Sequence, residues 1–361
     1  MKKLLSLLLV LVLIFTLVAC NSADNDDDEP RRKKGSSSSS ATVNPLDDGF
    51  VNTDPESNGS TPILYKVTDT NGNVLWLFGS VHFGLNWMYP LPDYVMDAFD
   101  SSDSLAVEFD IVDFQGDITA QTHAMQKIIY KDGTSVNDNI SSEVYEKACD
   151  IFEANGFGSY IESAYNYYNP YLWYNVILEL AQVNVPSKLV NGVDVTLINE
   201  AYDRDKDVID IESPNFQYEM LGSFSDEILE AMLRSAISCY EDPSLANASA
   251  KATEELIKTW ASGSPKAMFE AIQVDKKMFG DRTDLFDEYF NKMYTNRNIT
   301  MAEYCESAIK SGDIVFVCVG AGHLVGDSGI ANLLLQKGYK IELVRRAEET
   351  DNTKDTLKDA A

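Results

Sequence analysis

Histidine is scarce in this 361-residue chain, with three in all, and cationic residues are outnumbered, 29 lysines and arginines standing against 57 aspartates and glutamates. The formal charge of −28 excludes nucleic acid as a partner, because a polyanion meets repulsion rather than counterion release. Several catalytic signatures are missing. There is no His-Glu-x-x-His helix, no Gly-x-Ser-x-Gly elbow, no P-loop and no Gly-x-Gly-x-x-Gly turn. The five cysteines include no Cys-x-x-Cys pair, which argues against thiolate zinc. Long apolar runs are absent too. Leu4 to Phe15, interrupted only by Ser6, falls short of the roughly 20 residues a membrane span requires.

That short run has a different use. Lys2 and Lys3 precede it, and Leu17-Val18-Ala19-Cys20 follows it, so residues 1–19 read as a lipoprotein signal peptide with Cys20 as the lipidated new N-terminus. This places the chain at the cell membrane, lipid-anchored on its extracytoplasmic face. Residues 20–60 read as a disordered tether. An acidic stretch (Asp24 to Glu29), a basic one (Arg31 to Lys34) and a serine tract (Ser36 to Ser40) leave almost nothing apolar to bury. Residues 61–345 form the folded domain, and 346–361 a polar, disordered tail. The other four cysteines, Cys149, Cys239, Cys305 and Cys318, would allow two disulfides in three connectivities in an oxidising compartment. Cys318, within an apolar strand, reads as a buried thiol instead.

Inside the domain, Tyr65-Lys66-Val67 and Val74 to Phe78 flank an Asn71-Gly72 turn and predict a hairpin. Strands are expected at Ser104 to Phe109, Asp207 to Ile211, Ile314 to Val319 and Tyr339 to Val344. Helices are expected from Pro92, from Asn169-Pro170, from Ser213-Pro214, at several places in 225–311, and near Ser328 to Gln336. The fold class is α/β (α+β): a mixed central β-sheet assembled from both ends of the chain, with a large helical insertion.

Two of the three histidines recur in one context. Gly79-Ser80-Val81-His82 and Gly320-Ala321-Gly322-His323 each follow an apolar strand. Open sheets place ligands at the carboxyl ends of their strands. Four predicted strands end in His82, Glu108, Glu212 and His323, and two imidazoles with two carboxylates suit a divalent metal, manganese, cobalt or zinc among them. Each residue also has a plainer reading. Glu108 and Asp110 can serve as strand-end acceptors, Glu212 or Asp194 as helix caps, Arg297 as a solvated cation or a clamp for a carboxylate or oxyanion, and His123 as a surface residue. Ser80 as a nucleophile is disfavoured, since strand neighbours two apart need not reach each other.

In these residues the chain resembles the TraB/PrgY/GumN family, which includes the Tiki proteases. The matching stretches are Leu77 to Gly84, Tyr89-Pro90-Leu91-Pro92, Ser102 to Asp110, Asn191-Gly192-Val193-Asp194, Asp210-Ile211-Glu212-Ser213 with Gln217, Arg297-Asn298, and Val317 to Gly326. The resemblance runs from residue 62 to 345. Ser213 departs from it, since a threonine is expected there. The resemblance implies paired Gly-x-x-His motifs plus a glutamate as the active site, here His82, His323 and Glu108, with Glu212 and Arg297 in support. It also implies a metal-dependent peptidase for the Tiki members and shutdown of peptide pheromones for TraB and PrgY. The expectation is therefore a membrane-tethered metallohydrolase acting on peptide or protein. The metal would sit on His82, Glu108 and His323. Glu108 or Glu212 would be the general base, and Arg297 would steady substrate or oxyanion. The rivals are a module that sequesters a peptide without cutting it, and a metal-free esterase-type hydrolase with histidine as base.

Overall fold

Six strands from opposite ends of the chain make the central sheet, in the order β6-β4-β7-β2-β1-β8. The computed structural model describes residues 59–344, so the signal peptide, Cys20, nearly all of the tether and the tail lie outside the described residues. β1 (Leu64–Thr68) and β2 (Val74–Ser80) form the expected hairpin, with Leu64 opposite Phe78 and Thr68 opposite Val74. At the turn Gly72 takes φ +89°, a left-handed conformation natural to glycine. β4 is Ser104–Val107, β6 Asp207–Asp210, β7 Val315–Gly320 and β8 Lys340–Leu343.

Strands β6, β4, β7 and β2 are mutually parallel, while β1 runs against them, paired antiparallel with β2 on one side and with the edge strand β8 on the other. The parallel alignment matters most, because it brings the carboxyl ends of four strands to one side of the sheet. β7 carries five buried residues in a row and β4 four, as befits strands covered on both faces. Phe78, Phe99 and Phe316 pack ring against ring beneath them.

Helix α1 (Asp93–Asp100) precedes β4, and α2 (Ile111–Gly116) follows it. The insertion contains α3 (Pro170–Gln182), opened by Asn169 accepting from Tyr171 N, and a short strand β5 (Leu189–Asn191). Next come α4 (Val193–Asp203) and, after β6, α5 (Pro214–Gly222), where Ser213 Oγ caps Phe216 N. α6 (Asp226–Glu241) packs on α3 and builds a second, aromatic-rich core around Trp173, Phe152 and Tyr218. α7 (Pro243–Ser262) returns to the sheet, and its Trp260 indole donates to Gly79 O at 2.7 Å. α8 (Asn296–Ser311) leads into β7, and α9 (Ile330–Gln336) into β8.

One element has no counterpart in the sequence reading. β3 (Phe83–Leu85) pairs antiparallel with β5 as a separate two-stranded ribbon above the strand ends. The cysteines also differ from the two-disulfide possibility. Cys149, Cys305 and Cys318 are free thiols, the last two buried, so the four do not pair among themselves. Among the described residues no helix is long and apolar enough to cross a membrane.

Candidate active site

The chain leaves β2 through Val81 and His82 before entering β3. Beside it, Val193 N donates to Val81 O at 2.9 Å, which pins the start of α4 against the β2 end. Gly192 allows this approach, since a Cβ there would sit 2.4 Å from the carbonyl atoms of His82. The contact delivers Asp194, in the first turn of α4, to the imidazole. His82 Nδ1 donates to Asp194 Oδ2 at 2.5 Å. Asp194 does not cap α4, whose N-cap is Gly192 with no side-chain cap bond; its carboxylate holds His82 instead, and it was the site residue most clearly underrated. Burial works against a charged imidazole at His82, but the Asp194 carboxylate outweighs it and lifts the pKa to about 9.

Glu108 and Glu212 come side by side because the β4–β6 ladder runs on past the strands. Ile211 N donates to Val107 O, and Glu212 N donates to Glu108 O at 2.8 Å. Arg297, in the first turn of α8, closes over both. Its Nε donates to Glu212 Oε1 at 2.9 Å, and its Nη2 donates to Glu212 Oε2 at 2.7 Å and Glu108 Oε2 at 2.6 Å. Nη1 donates to Met293 O, within the wide π-helical turn Asn291–Thr295 that precedes α8, and such turns gather at functional sites. Gln217 on α5 bridges the same pair, its Nε2 donating to Glu108 Oε2 and Glu212 Oε2.

Arg297 is therefore not a solvated cation. Its side chain is 2% exposed, as is that of Glu212, and it is engaged with carboxylates on both sides. Glu212 does not cap α5, a role taken by Ser213, and it lines neither cavity described below. Glu108 differs. Oε2 is held by Arg297 and Gln217, while Oε1 accepts from Gly320 N at 2.9 Å and faces His323. Burial favours its neutral form, but the Arg297 guanidinium prevails and holds the carboxyl well below the usual range.

His323 sits in a 3-10 turn, Ala321–Leu324, directly after β7, and is buried. Its Nδ1 lies 2.6 Å from Asn298 Oδ1. The amide nitrogen of Asn298 donates to Ser328 O at 2.8 Å, which fixes Oδ1 as an acceptor. Nδ1 of His323 must then carry the proton, and Nε2 presents a lone pair. Burial, reinforced by the Arg297 charge, lowers the His323 pKa to about 3, so the ring is neutral. That lone pair faces Glu108 Oε1 at 3.7 Å. Two acceptors confront each other, with no proton to share between them.

The structure thus brings His82, Glu108 and His323 onto one cavity of about 90 Å3, which Arg297 and Gly320 also line. A larger cavity of about 350 Å3 adjoins it and shares Ser80, His82, Phe83 and Glu108. His123 is exposed on the helix Ile118–Met125, away from the site. Gln217 and Asn298 stood in the quoted sequence stretches without roles, and Asp194 only as a helix cap; polar residues beside a motif were the one signal that could have marked them.

The donor chemistry fits a divalent cation. His323 offers Nε2 and Glu108 offers Oε1. His82, with Nδ1 tied to Asp194, has Nε2 as the nitrogen able to ligate once an incoming cation displaces its proton. A carboxylate or amide behind each ligating imidazole is the usual way to fix its tautomer. Among the described residues, no three His, Cys, Asp or Glu side chains already stand in a gripping arrangement.

Comparison with known proteins agrees with the sequence motifs. Neither the curated proteins nor the solved structures provide a match. The family comparison matches residues 63–343, which span both Gly-x-x-His turns, both glutamates and Arg297. The chain belongs to the TraB/PrgY/gumN family.

Proposed function

We propose that the crevice is the centre of a metal-dependent hydrolase acting on peptides, in a chain tethered by lipid at Cys20 to the outer face of a cell membrane. The observation that carries this reading is the neutral His323 Nε2 facing the ionised Glu108 Oε1 at 3.7 Å, inside a cavity that His82 also lines. Such a pair of acceptors is an electrostatic gap that a cation fills. The ion, manganese, cobalt or zinc, would be held by His82, Glu108 and His323, and when bound it would polarise a carbonyl and lower the pKa of water.

The remaining residues have roles in holding those ligands. Asp194 and Asn298 fix the imidazole tautomers. Arg297 and Gln217 immobilise Glu108 Oε2 and keep the carboxyl ionised, which leaves Oε1 to the cavity. Of the two glutamates considered as general base, only Glu108 lines the cavities, so Glu212 is out of an attacking water's reach, and Glu108 Oε1 would serve as base only in the metal-free reading, where no ion occupies it. Arg297, engaged with two carboxylates, acts as a positioning residue rather than an oxyanion clamp.

A second reading rests on the His82–Asp194 pair, the arrangement a metal-free hydrolase uses to orient an imidazole base. The test is peptide hydrolysis by the purified full chain with chelator present, then with divalent metal restored. Activity that stops and returns supports the metal reading. Activity that persists in excess chelator, and disappears in Asp194→Asn, would establish the metal-free one. Blockade of a peptide signal with no cleavage products would replace both with sequestration.

A further inference from the structure

We propose that the 350 Å3 cavity beside His82 and Glu108 is the specificity pocket of this centre, and that it takes a bulky, uncharged apolar side chain of a peptide, of leucine or phenylalanine size. The inference rests on the hydrolytic reading above for its purpose, though not for its geometry. The walls are Phe83, Val107, Phe109, Ile111, Leu189 and Val195. Phe83, Ile111, Leu189 and Val195 are only half-buried, so apolar surface faces the hollow and awaits cover. The volume lies in the range of small-ligand sites. His82, Glu108 and Asp194 are part of its lining, so a side chain seated in it brings the adjoining main chain close to those groups.

Charge narrows the ligand further. Among the described residues lining the cavity there is no lysine or arginine, while Glu108 and Asp194 both contribute. A fatty acid carboxylate or an acidic side chain would meet like charge, and the imidazole at the lining, His82, is already paired with Asp194. Gln115 and Asn191 are exposed at the lining and offer amide donors and acceptors, which suits a peptide main chain. The ribbon β3–β5, which supplies Phe83, Leu189 and Asn191, acquires a purpose on this reading: it is the outer wall of the pocket.

Full burial of a leucine-sized side chain is worth roughly ten- to a hundredfold in affinity. The experiment is calorimetric or NMR titration of the full chain with N-acetyl-L-leucinamide, its phenylalanine analogue and N-acetyl-L-aspartamide. The apolar amides should bind at least tenfold more tightly than the aspartyl one. Val195→Phe, which fills the hollow from the first turn of α4, should abolish that preference. Leu189→Lys, which places a cation at the wall, should reverse it in favour of the aspartyl amide, and a thermal melt establishes that each variant is folded. The same titrations in His323→Ala separate the pocket from the chemistry. Apolar preference kept there, in a protein that cleaves nothing, supports the pocket and leaves the hydrolytic reading to fail alone. Equal affinity for all three amides, or a preference unmoved in both wall variants, overturns the proposal even if hydrolysis is chelator-sensitive.

Discussion

Replacing Arg297 by methionine keeps most of the side-chain volume and removes the charge, so it isolates the electrostatic role of the guanidinium. Surface ion pairs contribute about 0–1 kcal/mol, whereas breaking a buried pair costs about 3–5 kcal/mol because its partner stays buried and uncompensated. Exposure decides between the two cases. The side chains of Arg297 and Glu212 are each 2% exposed and that of Glu108 12%, so the larger figure applies. Two carboxylates are orphaned rather than one, and the expected loss is about 3–5 kcal/mol, a large share of the 5–15 kcal/mol typical of a domain. Urea unfolding followed by tryptophan fluorescence reads this directly, urea being uncharged. Arg297→Met combined with Glu212→Gln should recover part of the loss, since one orphaned charge is then gone. A loss under about 1 kcal/mol for Arg297→Met, the value of a surface pair, would refute the placement of Arg297 as a buried clamp.

Other outcomes follow from the same geometry. Asp194→Asn should weaken divalent metal binding by about 10–100-fold, measured by calorimetric titration, because it removes the carboxylate charge that orients His82 and raises its basicity. Gly192→Ala should lower the thermal midpoint by an amount corresponding to about 1–3 kcal/mol, since its Cβ meets His82 backbone that cannot step aside. Glu230 supplies a pH prediction. Burial raises its pKa, but the Ser141 N–H, with the Arg234 and Ser141 side chains behind it, outweighs burial and lowers it overall. A depressed carboxyl stabilises the fold above the ordinary glutamate pKa and loses that contribution as pH falls through the folded value, so Glu230→Gln should flatten the acid limb of a stability–pH curve. Cys20→Ala should move the protein from the membrane to the soluble fraction in cell fractionation, and unchanged fractionation would count against the lipid anchor.

The sheet was legible because its strands carry strong local signals. The Asn71-Gly72 turn fixed the hairpin register, and the unbroken apolar run before Gly320 could only be a strand covered on both faces. Prolines after capping residues marked the starts of α3 and α5. The β3–β5 ribbon was invisible, because three-residue strands have no periodicity to read and this pairing is set by tertiary contact. At the site, paired Gly-x-x-His turns exposed the two histidines, and parallel strands then brought them together. Asp194 was obscured by a commoner explanation, since an aspartate after Asn-Gly near a helix start usually caps it. Arg297 was recognised as important, but its pairing with carboxylates was not. Sequence shows a cation, and only the fold shows that two glutamates from neighbouring strand ends have already claimed it.

The central claim is that His323 and Glu108 face each other in order to hold a cation. It is tested most directly by titrating zinc, manganese and cobalt in turn into chelator-stripped, purified full chain, beside His323→Ala, with elemental analysis of the protein as first isolated. The account predicts a single tight divalent site in the wild type that His323→Ala loses while remaining folded. Wild-type protein that binds none of the three ions any better than His323→Ala would contradict it.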